Sequence, residues 1–175
     1  KECLHLGDIY SARDACEKAI AASPDHALAH VHLADILLAT GEFERGWKEY
    51  EWRVTVDTGR DYLTDLRSEN LSWPRPSTLD LTTLAGRRVL VEAEPTIGDE
   101  LVFLRFLPSL LKYDINAMYR PSMKLRPLLE HNAGALGFGL ASSNARAHDF
   151  DHAVAVGDLP LLLHHQHADA IPAPY

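Results

Sequence analysis

Cysteine and positive charge are both scarce in this chain. There are two cysteines in 175 residues, Cys3 and Cys16, and neither stands in a C-x-x-C or zinc-type spacing. A disulfide framework and a cysteine-ligated zinc site are therefore excluded as organising principles, and a reducing compartment is expected. Lys and Arg number 17 against 25 Asp and Glu, for a net charge of −8. The cations form no stripe: Arg87-Arg88 and Lys124 with Arg126 are isolated pairs. Phosphate recognition needs clustered cations, so neither nucleic acid nor an anionic membrane surface is an expected partner. No apolar run approaches the roughly 20 residues that cross a bilayer. No secretory leader opens the chain, and the expected location is cytoplasmic. The chain has no initiator Met and begins in mid-pattern, as a fragment would. Also missing are G-x-G-x-x-G, a phosphate-binding loop ending in Gly-Lys-Ser/Thr, and a G-x-S-x-G elbow. Nucleotide hydrolysis and serine hydrolysis have no support, and no cofactor is expected.

What is present is a repeat. Gly7-Asp8-Ile9 and Gly41-Glu42-Phe43 lie 34 residues apart, and at that offset Ala12 matches Gly46 and Cys16 matches Tyr50. A turn glycine, a small residue and then a bulky one are what paired antiparallel helices require. The glycine ends one helix in a left-handed conformation, the small residue permits close approach, and the bulky one fills the groove between neighbours. Ser23-Pro24-Asp25 marks a boundary, with Pro stopping one helix and Asp helping to begin the next. The pattern predicts helices over 9–22, 26–40 and 43–54, after a helix ending at Leu6.

Leu33, Ala34, Leu37, Gly41, Phe43, Gly46 and Tyr50 resemble the characteristic positions of the tetratricopeptide repeat, with His30 where the family often has an aromatic and Arg53 in place of a common Ala. The resemblance spans residues 1–54 and implies about one and a half repeats. It also implies a protein or peptide partner on the concave face, lined by the first helix of each repeat. That places Val31, His32, Asp35 and Leu38 at the partner face, with Lys1, Leu4 and His5 in the partial repeat. Val31 and Leu38 suit core packing equally well. Asp35 and His32 are the sharper candidates, because polar residues there have no packing reason.

Residues 55–85 read as a packed linker. Pro74 and Pro76 exclude helix, and Trp73 is its expected anchor. From 86 to 175 the period changes. Arg88–Ala93, Ile115–Tyr119, Leu136–Leu140 and Phe150–Val156 read as short strands. Glu100–Leu111, Pro121–Glu130 and Leu159–His165 read as helices, with Leu101, Leu104, Leu107, Leu110, Leu111, Leu125, Leu128 and Leu129 expected to face in. Strand–helix alternation predicts an α/β Rossmann-like half-domain with a mostly parallel sheet, whose ligands would bind at the carboxyl ends of strands.

The second region also resembles a bacterial group in which tetratricopeptide repeats precede a glycosyltransferase-like region related to the heptosyltransferases. The residues that carry this, over roughly 41–175, are Gly41–Trp47 with Tyr50–Arg53, Trp73, Leu90–Glu94, Ile97–Glu100, Phe103 with Arg105–Pro108, Leu125–Leu129 and Asp158–Pro160. The resemblance implies two Rossmann domains, of which only the N-terminal half is present. It further implies a candidate general base at Asp99, a ligand loop including Glu94 and Gly98, and a sugar nucleotide in a longer parent. Where the family usually has Glu-Gln-Gly, this chain reads Glu94-Pro95-Thr96, so a loop glycine is replaced. Asp99 has a plainer role available, since an acid at a helix start meets free N–H groups. The leading expectation is an interaction module fused to a non-catalytic or incomplete domain, and the alternative is the acceptor-side part of a glycosyltransferase.

Ten histidines invite a metal reading. The clusters are His148-Asp149-Phe150-Asp151-His152 and His164-His165-Gln166-His167. On a strand, His148 and His152 share one face while Asp149 and Asp151 share the other, which works against convergence of four ligands. No metal is expected.

Overall fold

The computed structural model describes residues 8–56, 76–132 and 137–163. They divide into two compact units, with residues 8–56 in the first and the residues from 76 onward in the second. Lys1, Cys3, Leu4, His5, the helix ending at Leu6, Trp73 and the His164–His167 cluster lie outside the described residues.

Among the described residues, the first unit is three helices and a closing turn: α1 (Ile9–Ala22), α2 (Ala27–Ala39), α3 (Phe43–Tyr50) and a 3-10 turn over Glu51–Thr55. Asp8 caps α1 by accepting from the Ser11 N–H at 3.0 Å. The Ser11 hydrogen bonds hold the Asp8 carboxyl below the usual carboxylate range. α2 packs against both α1 and α3. Leu33, Ala34, Ile36 and Leu37 are buried accordingly, so this helix is apolar on two sides and not one. It ends as its glycine predicts: Gly41 has φ 83°, and the N–H groups of Gly41 and Glu42 donate to Leu38 and Leu37 carbonyls at 3.2 and 2.8 Å. The helix expected over 43–54 stops at Tyr50 and tightens into the 3-10 turn.

The second unit is a four-stranded parallel sheet with helices. In chain order its elements begin with 3-10 turns at Pro76–Thr78 and Leu81–Leu84, β1 (Arg88–Glu92), α4 (Ile97–Leu104) and a 3-10 segment at Leu107–Tyr113. Then come β2 (Asn116–Arg120), α5 (Arg126–His131), β3 (Gly139–Leu140), a 3-10 turn at Ala147–Asp149, β4 (His152–Ala155), a 3-10 turn at Val156–Asp158 and α6 (Leu159–Leu162). The sheet order is β3-β2-β1-β4, and every pairing is parallel. This is the order of the first four strands of a doubly wound fold. β1 is central, with β4 beside it at one edge, and both are buried on both faces: Leu90, Val91, Ala153 and Ala155 are fully buried. Pro76, Leu81 and Leu84, from the stretch read as linker, are buried within this unit.

Several expected boundaries shift for physical reasons. The helix expected over 100–111 is two elements: α4 gives way after Leu104, and Pro108 opens a 3-10 segment. Three residues per turn align Leu107 and Leu110, which are buried, and turn Leu111 outward to 61% exposure. Leu101 and Leu128, also expected to face in, are exposed. β3 is only two residues long, and it passes so close to β2 that a Cβ on Gly139 would lie 2.7 Å from Met118 Sδ. α5 starts at Arg126, five residues later than Pro121, after a turn in which Ser122 accepts from the Arg126 N–H.

Candidate functional site

Two surfaces carry the residues singled out by sequence. On α2, Val31, Asp35 and Leu38 follow i, i+4, i+7 and share a face. Asp35 is exposed, and Val31, His32 and Leu38 are half-buried. Leu38 also closes the α2–α3 contact that the small residue at 46 permits, since a Cβ on Gly46 would lie 2.7 Å from its Cδ2. Leu28 joins this stripe without having been singled out by sequence. It is 47% exposed, and its signal is an apolar residue three positions before Val31.

A fork of charge runs between α1 and α3. Arg13 donates to both oxygens of Glu42, at 2.5 and 3.2 Å, and Arg45 donates to Glu17 at 2.9 Å. Hydrogen bonding to Arg13 holds Glu42 below the usual carboxylate range. These pairs are largely solvent-exposed and contribute little to stability.

In the second unit the strand order reverses between β1 and β4, and the candidate residues lie at the carboxyl end of β1. The segment Pro95–Asp99 is exposed. Thr96 caps α4: its hydroxyl accepts from the Asp99 N–H at 3.2 Å and donates to Asp99 Oδ2 at 2.6 Å. Asp99 thus serves the helix start while staying exposed. Gly98 has ordinary helical φ, and a Cβ built on it meets nothing within 4 Å.

Three glutamates behind this loop each grip a different element. Glu92 forms an ion pair with Arg120, its cross-strand partner on β2, whose Nε is 3.0 Å from Oε2. Arg120 also donates to the Ala145 carbonyl at 3.2 Å. Burial pushes the Glu92 carboxyl up, and the guanidinium only partly offsets it. Glu94 is 4% exposed, and its Oε1 accepts from the Gly157 N–H at 3.0 Å, which ties β1 to the turn after β4. Glu100 is wholly buried; its Oε1 accepts from the Tyr119 hydroxyl at 2.7 Å and the Ser122 N–H at 2.9 Å. Burial first, and Glu100 second, push the Tyr119 phenol far up. Asp158 closes the β4 end, accepting from the Ala155 N–H at 3.1 Å. Glu92, Glu100, Tyr119 and Arg120 were not legible as a group, because their contacts join residues on different elements.

The strand reading of 148–152 is corrected. Ala147–Asp149 is a 3-10 turn and β4 begins at His152, so His148 is not on the strand. Asp151 accepts from the Arg88 N–H at 2.9 Å and from its guanidinium at 3.2 Å. The Arg88 backbone bond leads in holding its carboxyl below the usual range. Among the described residues no three His, Cys, Asp or Glu side chains come together as a metal site. No helix among them is long and apolar enough to cross a membrane.

The sequence profile of the tetratricopeptide repeat matches residues 4–46. The helical unit is a tetratricopeptide repeat. Protein FlbA of Caulobacter vibrioides (strain ATCC 19089 / CIP 103742 / CB 15) is similar to this chain, with 34% identity over 112 residues. The matched region is 62% of this chain and 17% of FlbA, so the chain spans about a sixth of that relative's length. No solved structure matches the chain.

Proposed function

We propose that this chain is a protein-interaction module whose repeat helices bind a peptide or protein segment across the α2 face. The observation that carries this is the repeat itself, combined with a stripe on α2 where apolar Leu28, Val31 and Leu38 flank exposed Asp35. Such a face suits a partner segment with an apolar side chain beside a cation, because Asp35 supplies charge and its neighbours supply apolar area. In this reading residues 1–54 are the binding repeats, 55–85 the linker, and 86–175 a non-catalytic or incomplete glycosyltransferase-like domain. The test is capture of partners by the full chain and by a His32→Ala/Asp35→Ala variant, with thermal unfolding as a control on folding. Partners held by the first and lost by an equally stable second support the reading. Equal capture by both sinks it.

A second reading is favoured by the exposed loop at the strand switch point. Gly98 has open space and ordinary φ, so the fold itself does not require glycine there. Close backbone approach by a ligand is a reason that remains. In this reading the chain is the acceptor-side part of a glycosyltransferase. Asp99 is the general base, and Glu94 and Gly98 shape the loop. A domain outside this chain would hold the sugar nucleotide. The test is Asp99→Asn in the longer parent: loss of sugar transfer with retained acceptor binding supports it, and undiminished transfer overturns it.

A further inference from the structure

Every residue of Pro95–Asp99 is exposed at the carboxyl end of β1, and the glutamate on either side of that segment is buried. Glu94 is 4% exposed and Glu100 is 0% exposed. β1 lies between β4 and β2, and the two side chains reach to opposite neighbours. Glu94 Oε1 accepts from the Gly157 N–H, in the turn that follows β4, at 3.0 Å. Glu100 Oε1 accepts from the Ser122 N–H, in the turn that follows β2, at 2.9 Å, and from the Tyr119 hydroxyl at 2.7 Å. The exposed segment is thereby tied at its start to one neighbouring strand end and at its finish to the other. Inside it, the Thr96 hydroxyl donates to Asp99 at 2.6 Å, and the Thr96 carbonyl accepts from the Glu100 N–H at 3.0 Å.

Burying a carboxylate costs free energy, and apolar side chains of similar size would hold two strand ends together at least as well. What the carboxylate adds is direction. Its oxygen accepts along defined lines from a defined N–H or O–H, which apolar packing does not specify. A segment held this way at both ends keeps one shape while its own side chains stay open to solvent, as groups that meet a ligand on a rigid frame must. We infer that Glu94 and Glu100 are positioning residues, which fix Pro95–Asp99 in the shape that a ligand meets, and that neither touches the ligand itself. On the second reading above, on which this rests, Asp99 and Gly98 face the sugar acceptor. Glu94, buried against the β4 turn, acts on that acceptor only through the loop it anchors. Hydrogen-bond acceptance is then the property needed at position 94, so glutamine keeps the role and leucine loses it.

The first measurement is backbone nitrogen relaxation in the full chain, with thermal unfolding as a control on folding. Order parameters for Thr96–Asp99 are expected near about 0.85 in wild type and Glu94→Gln, and at about 0.6 or below in Glu94→Leu, with β1 and β2 rigid in all three. A wild-type segment at about 0.6 or below overturns the proposal, and so does a Glu94→Leu segment as rigid as wild type. Should Glu94→Leu fail to fold, Glu94→Ala takes its place. The second measurement is sugar transfer by the longer parent. Glu94→Leu is expected to lower kcat roughly 10- to 100-fold with KM held within about twofold, and Glu94→Gln to restore most of the loss. An unchanged kcat beside a loosened segment overturns the positioning role. A parent that transfers no sugar in any form sinks the second reading, and the relaxation data alone then decide whether the two glutamates hold the segment.

Discussion

At the scale of single residues, the second unit depends on carboxylates that never reach solvent. Glu100 is committed to the Tyr119 hydroxyl and the Ser122 amide. Tyr119→Phe leaves that carboxylate buried with one donor fewer, and we expect a loss of about 1–3 kcal/mol in denaturant unfolding. The same residue sets an alkaline limit. An unfolded tyrosine ionises near pH 10, whereas the folded phenol is pushed higher, so its contribution is present below pH 10 and lost above it. Tyr119→Phe should accordingly lose stability less steeply above about pH 10 than wild type. A parallel decline in both proteins would remove Tyr119 as the cause. Gly98 predicts the opposite direction. With open space and no strain, Gly98→Ala should raise stability by up to about 1 kcal/mol, and a loss would mean that the loop needs glycine for its own folding.

At the scale of elements, the repeat turns on how closely α2 and α3 approach. A side chain at Gly46 must displace Leu38, and its Cβ also comes within 3.3 Å of the Leu38 backbone nitrogen. Gly46→Leu should therefore destabilise the repeat by about 1–3 kcal/mol through overpacking. An unchanged Tm would remove Gly46 from the helix contact. The α4 region behaves differently. Its leucines have a spacing that one long helix could bury, yet the chain changes to 3-10 geometry at Leu107, and Leu111 is exposed as a result. Helical periodicity extrapolates only as far as the helix does.

At the scale of the molecule, two units share one sequence, a tetratricopeptide repeat and a parallel sheet of order β3-β2-β1-β4. The reversal of strand order between β1 and β4 leaves the Pro95–Asp99 loop at the carboxyl end of the sheet. Glu92 holds that end to β2 and Glu94 holds it to the β4 turn. Arg120→Met should cost about 3 kcal/mol, because it strands a buried Glu92 carboxylate without its partner. Full stability in that variant would mean that the ion pair contributes nothing net.

The helical repeat was written plainly in the sequence. A 34-residue period, a turn glycine and a boundary proline are local signals, and each acts through backbone geometry within a few residues. The parallel strands were legible for the same reason, as short apolar runs between helical stretches. Asp99, Gly98 and the α2 residues Val31, His32, Asp35 and Leu38 were named through family resemblance and stay candidates. Strand order was not legible, because it depends on which runs pair across the sheet. The sequence singled out His30 only as a departure from an aromatic position; that it binds Glu49 and Pro24 and stacks on Trp52 is visible only once α2, α3 and the turns fold together. The same holds for the Glu92–Arg120 and Glu100–Tyr119 pairs. Local chain geometry is determined by neighbours in sequence, whereas the partner of a buried charge is whichever group the packed chain brings within hydrogen-bond reach.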